Sequence, residues 1–236
     1  MCDQTAEIIS QDIVTIDGPS GVGKSTLSRL LAARLGYTYL DTGAMYRAVA
    51  LQCHRRGVRP DDEQGLRQLL EGLDLRLLPA NGAGEETRVL LGDEEVSAQI
   101  RTSETGMLAS AVSARPLVRQ HLTDMQRRLG AAGRVVAEGR DTGTVVFPAA
   151  RFKFYLDASA EERARRRIEQ LRRQGAVVNE AEILRQQQER DRNDSSRSLA
   201  PLAAAADALR IDTSELSSDQ VLATMLDHIR SLGGMC

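Results

Sequence analysis

Tryptophan is absent from this 236-residue chain, and three Phe and four Tyr leave the aromatics at 3%. So thin a supply excludes a recognition surface built on stacked aromatic platforms, and polar side chains must carry most of any reading of a planar ligand. Cysteine is equally scarce. Cys2, Cys53 and Cys236 have no metal-ligand or redox spacing, and their odd number argues against a disulfide framework. A reducing compartment is expected. No apolar run approaches membrane-spanning length, and residues 1–11 lack the basic start and apolar stretch of a secretory signal, so a soluble, cytoplasmic protein is expected with no membrane partner. Charge of one sign is not in excess either. The 31 basic and 33 acidic residues nearly cancel, which speaks against a nucleic-acid partner and for a small anionic ligand. His54, His121 and His228 stand without ligand spacing and read as surface or internally satisfied histidines.

The 42% of apolar residues can fill the core of one α/β domain with insertions rather than two independent domains. The β-branched run from Asp12 to Ile16 predicts a strand, Gly18 to Gly23 a loop, and Ser25 to Leu35 a helix. A second strand, Tyr37 to Leu40, ends where a helix can start with Thr42 as its cap, completing a βαβ unit and predicting a parallel sheet. From Asp61 to Arg101 the texture changes. Leu73 to Leu78, a turn at Asn81-Gly82-Ala83-Gly84, Thr87 to Leu91 and a tight Gly92-Asp93 predict a small antiparallel meander. Helices follow at Thr102 to Ser113 and Arg115 to Leu129, the second with Pro116 in its first turn. Strands at Arg134 to Ala137, Phe152 to Leu156 and Leu209 to Asp212 resume the alternation, a long charged helical region covers Glu161 to Arg197, and a helix from Ser218 to Leu232 ends the pattern. Arg163, Arg165, Arg166, Arg167, Arg172 and Arg173, interspersed with Glu161, Glu162 and Glu169, read mainly as a solvated face with i,i+4 pairs.

Gly18-Pro19-Ser20-Gly21-Val22-Gly23-Lys24-Ser25 fits G-x-x-x-x-G-K-[ST] between a predicted strand and a predicted helix. Glycines let the backbone wrap a phosphate, amides and a helix N-terminus donate to the anion, Lys24 reaches the β- and γ-phosphates, and the Ser25 hydroxyl ligates Mg²⁺. Thr26 assists at the helix start. The loop implies a nucleoside triphosphate and leaves a kinase, a GTPase switch and a motor open. There is no Asn-Lys-x-Asp base reader, whereas Arg47, Arg119, Arg140, Arg190 and Arg197 stand beside glycines, turns or helix ends, where guanidinium groups can converge on the phosphates of two substrates. Glu138 closes a predicted strand where an acid can stand near the magnesium water shell.

The blocks IDGPSGVGKST, LDTGAMYRA, EGRDTGTVVFP, ERDRNDSSRSLAPL and AADAL resemble, in this order, those of bacterial cytidylate kinases, the CMP/dCMP kinases among nucleoside monophosphate kinases. The likeness runs from about residue 12 to the last helix. It implies an α/β P-loop three-layer fold with a central parallel sheet, an inserted small antiparallel substrate-binding subdomain and a helical lid. On that pattern one domain comprises a core (12–60, 130–175 and 205–236), a monophosphate-binding part (61–129) and a lid (176–204). The implied activity is transfer of the ATP γ-phosphoryl group to CMP or dCMP, with Mg²⁺; a monomer is expected because the sequence shows no exposed apolar stripe beyond what a core would use. The resemblance further implies that Thr42 contacts the acceptor nucleotide, Arg47 binds its phosphate, and Ser110 and Arg119 read the cytosine edge and the acceptor phosphate side. Arg140 and Asp141 would hold base, phosphate and sugar, and Arg190, Asp194 and Arg197 would be the lid's arginine, sugar-binding aspartate and second arginine. Lys24, Arg190 and Arg197 would be catalytic. Two departures stand out: Thr42 replaces a usual serine, adding a methyl beside the sugar, and Asn193-Asp194-Ser195-Ser196 is less basic than the family pattern.

Overall fold

The structure, a computed structural model, describes residues 13–79, 86–173 and 175–234. In chain order its elements are β1 (Ile13–Asp17), α1 (Lys24–Leu35), β2 (Thr38–Asp41), α2 (Thr42–Arg56), α3 (Glu63–Glu71), β3 (Leu75–Leu78), β4 (Arg88–Leu91) and β5 (Glu94–Glu95). Then come α4 (Ser103–Ser113), α5 (Pro116–Gly130), β6 (Val135–Gly139), β7 (Phe152–Asp157), α6 (Ala160–Arg173), α7 (Glu180–Ser195), β8 (Leu209–Asp212) and α8 (Ser218–Ser231). The chain divides into two compact units, one formed by the segments up to Thr38 and from Gly133 onward, the other by Tyr39 to Ala132. The stretch 39–60, which the sequence pattern places with the core, thus goes with the second unit.

β1 is buried at all five positions, as a strand covered on both faces must be. It runs parallel to β6 and β7, and β7 runs parallel to β8. The sheet order is β2-β6-β1-β7-β8. The strands of the predicted βαβ unit are therefore not neighbours: β6 stands between β1 and β2. Val135, Val136 and Ala137 suit an inner strand buried on both faces, whereas β2 begins exposed at Thr38, as an edge strand can. Because Asp17 pairs in register with Gly139 and Tyr155, the segments after β1, β6 and β7 leave the sheet at the same end, where open α/β sheets place their ligands. Leu27, Leu31 and Ala32 bury one side of α1, and Val221, Leu222, Met225, Leu226 and Ile229 that of α8; each large side chain so buried contributes about 1.5–3 kcal/mol. The charged stretch 161–197 forms two helices, α7 starting at the cap Asn179, whose side chain accepts the Glu182 amide at 3.2 Å.

In the second unit β3, β4 and β5 form the antiparallel meander, with Leu75 opposite Leu91 and Leu90 opposite Glu95. Gly92 (φ +61°) makes the tight turn into β5; the turn predicted at 81–84 lies outside the described residues. The cap of α2 is corrected by the structure. Asp41, not Thr42, accepts the Ala44 amide, at 2.8 Å, and Thr42 is already the first helical residue. Pro116 does open α5. Cys53 is buried on α2, free, and its thiol is pushed up to about 11 by burial, which leaves it inert; Cys2 and Cys236 lie outside the described residues. His228 packs edge-on against Phe154 at 5.6 Å, and His54 lies 4.0 Å from Glu104, a carboxylate partner not foreseen for it. Among the described residues no helix is long and apolar enough to cross a membrane.

Candidate active site

Residues 18–23 join β1 to α1 and residues 24–26 open that helix, the strand-loop-helix setting the glycine motif requires. At Gly18 (φ +149°) a Cβ would come 2.1 Å from the Leu156 carbonyl oxygen, so only glycine lets the loop pass β7. Gly23 caps α1 in a left-handed conformation and, having no side chain, makes no cap hydrogen bond to the first amides of that helix. Lys24 is buried, and its Nζ donates to the Gly18 carbonyl at 2.8 Å and the Pro19 carbonyl at 2.6 Å, curling back over the loop. Burial first, then the charge of Arg140, push the Lys24 pKa well below the usual lysine range, against the pull of Glu138, Asp17 and Asp194. Phosphate charge brought to this spot offsets both costs.

The Ser25 hydroxyl donates to Glu138 Oε1 at 2.8 Å, and Glu138 is buried near the end of β6. A hydroxyl and a carboxylate side by side are the hard oxygen donors Mg²⁺ prefers, and that ion takes one or two protein ligands in company with substrate phosphates. The pair fits the ion.

Arg140 and Asp141 follow β6. Arg140 Nε donates to Asp194 Oδ2 at 2.8 Å, and Arg197 donates to Asp194 Oδ1, so both oxygens of a buried carboxylate on α7 hold arginines. Burial alone raises the Asp194 pKa, but Arg140, Arg197 and then Arg190 outweigh it and hold the group below the usual carboxylate range. Arg140, Arg190, Asp194 and Arg197 are thereby one cluster. Asp141 is buried but does not cap the π-type turn at Thr142–Val146 with its side chain. Asp17 does that: it accepts from the Thr142 amide at 2.9 Å, the Thr142 hydroxyl at 2.8 Å and the Gly143 amide at 2.8 Å. Burial lifts the Asp17 pKa to about 6 against these three donors, with Asp141 adding to the rise.

On α6 the expected solvated pairs form between Arg165 and Glu169 and between Arg173 and Glu169, whereas Arg166, part-buried, pairs with Glu162 and also donates to the Thr213 hydroxyl at 3.1 Å. Arg163 departs from them. It is 7% exposed and pairs with Asp191 of α7 at 2.5 Å, because its position faces α7 rather than solvent.

In the second unit Thr42 is buried at the start of α2 and Arg47 is half-buried a turn further on. Arg119, from α5, is buried, donates to the Ser113 carbonyl at 3.3 Å and lies over the Tyr46 ring at 5.6 Å. Ser110 belongs to the same last turn of α4, its carbonyl accepting the Ser113 hydroxyl at 2.8 Å. Ser110 and Arg119 are thus tied through Ser113, and Arg119 to the helix of Thr42 and Arg47 through Tyr46.

The family model described as Cytidylate kinase matches residues 14–231. The chain belongs to the cytidylate kinase family. A cytidylate kinase of Citrifermentans bemidjiense is 52% identical over 218 residues, 92% of either chain. One of Geobacter sp. strain M21 is 53% identical over 213 residues, 90% of either, and one of Methylococcus capsulatus 49% over 219, covering 93% of this chain and 97% of that one. Among solved structures, a shikimate kinase of Bacteroides thetaiotaomicron aligns at a TM-score of 0.49 and 14% identity over 94% of this chain and 98% of its own, a likeness too slight to bear on the acceptor.

The cytidylate kinase blocks pointed to Arg140, Asp141, Arg190, Asp194 and Arg197, but not to the residues that hold them in place. In the sequence Asp17 falls between the predicted strand and the glycine loop, Tyr46 and Ser113 read as helix filling, and Gln187 as one of three successive glutamines. Two of them carried a signal by standing in the quoted blocks, Asp17 in IDGPSGVGKST and Tyr46 beside Arg47 in LDTGAMYRA.

Proposed function

We propose that this chain transfers the γ-phosphoryl group of ATP to CMP or dCMP, giving ADP and CDP or dCDP in pyrimidine nucleotide metabolism. The observation that carries the reading is the run of contacts from loop to cluster: Ser25, the second residue of α1, donates to Glu138 Oε1 at 2.8 Å, and Arg140, two residues beyond Glu138, holds Asp194 at 2.8 Å. The donor loop and the guanidinium cluster therefore serve one anion-binding space. Membership of the cytidylate kinase family supports CMP as the acceptor.

Transfer breaks the bond from the γ-phosphorus to its bridging oxygen, whose electron pair leaves with ADP, and forms a bond to an oxygen of the acceptor phosphate. That oxygen is already anionic near neutral pH. A strong general base is unnecessary, and the work is alignment and charge neutralisation. Loop amides from Ser20 to Thr26 and the Lys24 ammonium hold the β- and γ-phosphates, Lys24 exchanging the Gly18 and Pro19 carbonyls for phosphate oxygens. Arg190 and Arg197 neutralise the transferring group, Arg197 and Arg140 giving up Asp194 for phosphate and leaving that carboxylate to the sugar. Ser25, with Glu138 beside it, would hold Mg²⁺, which when bound would further neutralise the ATP phosphates. Arg47 and Thr42 take the acceptor phosphate and sugar side. Cytosine presents an amine donor and two acceptors, which the hydroxyl of Ser110 and the guanidinium of Arg119, tied through Ser113 in the second unit, can match.

A coupled assay of ADP release with CMP, dCMP, UMP, AMP and shikimate tests the reading. CMP and dCMP should turn over, UMP at least about tenfold less well because it lacks the amine, and AMP and shikimate negligibly. Preference for UMP or AMP sinks the assignment. Arg47→Ala should lower kcat/KM for CMP by more than about tenfold, the loss of a charge-assisted contact, while KM for ATP stays put; unaltered kinetics would remove Arg47 from the site.

A further inference from the structure

The crest of the phosphate loop is gripped from behind by two helices. The Ser20 carbonyl oxygen accepts from Arg163 Nη1 of α6 at 3.2 Å and from Gln187 Nε2 of α7 at 3.1 Å. Both side chains are 7% exposed. Arg163 is fixed in turn by its Nε on the Ala158 carbonyl at 3.0 Å and by Asp191 Oδ2 at 2.5 Å, one turn along α7 from Gln187. The fit leaves no slack: a Cβ on Gly21 would lie 2.5 Å from Gln187 Nε2 and 3.1 Å from Arg163 Cβ.

A trans peptide is planar, so its C=O and the N–H that follows point in opposite directions; no cis bond occurs among the described residues. A backbone that cradles an anion turns its amides inward and its carbonyls outward. Holding the Ser20 oxygen on α6 and α7 therefore aims the Gly21 N–H the other way, toward the phosphates. Without the two donors that peptide is free to rotate, and a carbonyl facing the anion would repel it.

We propose that Arg163 and Gln187 are positioning residues for ATP, setting the Ser20–Gly21 peptide so that its amide meets the donor phosphates. Gln187 shares α7 with Arg190 and Asp194, so the loop takes its binding shape only with that helix in place, and by reciprocity bound nucleotide holds α7 down. The proposal rests on the reading of residues 18–26 as the ATP phosphate loop.

Gln187→Met removes the donor while keeping length and apolar contact, and Arg163→Lys keeps a cation for Asp191 while losing the fork. An alanine at 163 would leave the half-buried Asp191 beside an empty space and risks the fold. In the Gln187→Met enzyme, KM for ATP and the calorimetric Kd for ADP should each rise about five- to tenfold, the worth of one buried hydrogen bond. KM for CMP should stay within about twofold. Arg163→Lys should show the same split, and the double variant should add little, since both donors serve one oxygen. An unchanged ADP Kd in both single variants, or equal rises in both KM values, overturns the proposal. Lys24→Met serves as the control for the underlying reading. If that variant keeps its turnover, the loop assignment fails; if it loses turnover while Gln187→Met and Arg163→Lys bind ADP normally, the positioning role alone fails.

Discussion

Lys24→Met is expected to lower kcat by about 10³-fold while leaving the folded state nearly as stable as before. Removing one preorganised donor to developing charge costs about 10²–10³ in rate, and this donor is also a full charge in a water-poor site. The stability side follows from burial. Lys24 is 7% exposed, with its pKa pressed well below the usual range by desolvation and by Arg140, so its charge is a cost to the folded chain until phosphate arrives. Methionine keeps the length and apolar contact and removes that cost, offsetting the loss of the bonds to Gly18 and Pro19. Coupled ADP release and a thermal unfolding curve measure the two quantities. A kcat within tenfold of the parent would show that Lys24 does not act on the transferring phosphate.

That division of labour explains which parts of the molecule were legible beforehand. The phosphate loop could be read because its requirements are local: Gly18 must be glycine where it passes the Leu156 carbonyl, and motif, strand and helix are contiguous in the chain. Strand order could not. That β6 enters between β1 and β2 depends on pairing between residues over a hundred positions apart, such as Val14 with Val136, and periodicity says only that each strand is buried. The cap of α2 was missed by one residue because Asp41 and Thr42 are both good cap formers, and only backbone geometry chooses between them.

Arg163 shows the same limit in the site. Its neighbours Arg165 and Arg166 find glutamates one turn away on their own helix, an arrangement visible in spacing alone. Arg163 finds Asp191 and the Ser20 carbonyl, partners supplied by a different helix and by the loop. Asp17 is similar: nothing in IDGPSG distinguishes a strand-end aspartate from one that takes three donors from Thr142 and Gly143. Keeping a carboxylate whose pKa is lifted to about 6 is costly near neutral pH. The turn it fixes carries Arg140 and Asp141 at its head, which is where such rigidity serves function. The family blocks point to the residues proposed to touch ligands; those that aim them are distributed by the fold.

Asp194→Asn is the sharpest test of the cluster as a unit. The side chain is buried, with Arg140 at 2.8 Å on one oxygen and Arg197 on the other, so an amide of the same shape removes the charge both guanidinium groups share. Breaking one partner out of a buried pair costs about 3 kcal/mol. In a chain of this size that is a fall in Tm of about 6–12 °C. The pH dependence separates charge from packing. The Asp194 pKa lies below its ordinary 3.8, since the arginines outweigh burial. A carboxylate depressed in this way contributes stability that is complete above the unfolded value and is lost as pH falls through the folded one. The Tm gap between parent and variant should therefore be constant from neutral pH down to about pH 5 and close as the medium is acidified below 3.8, where the parent's carboxylate takes up its proton. Turnover should suffer separately. With Arg140 and Arg197 no longer gathered on one carboxylate, and with an amide where the sugar is proposed to meet that carboxylate, kcat/KM for CMP should drop by about 10²-fold, the effect of an ångström's misplacement. A Tm gap that persists unchanged in acid would assign Asp194 a packing role alone, and full activity would separate the cluster from the acceptor.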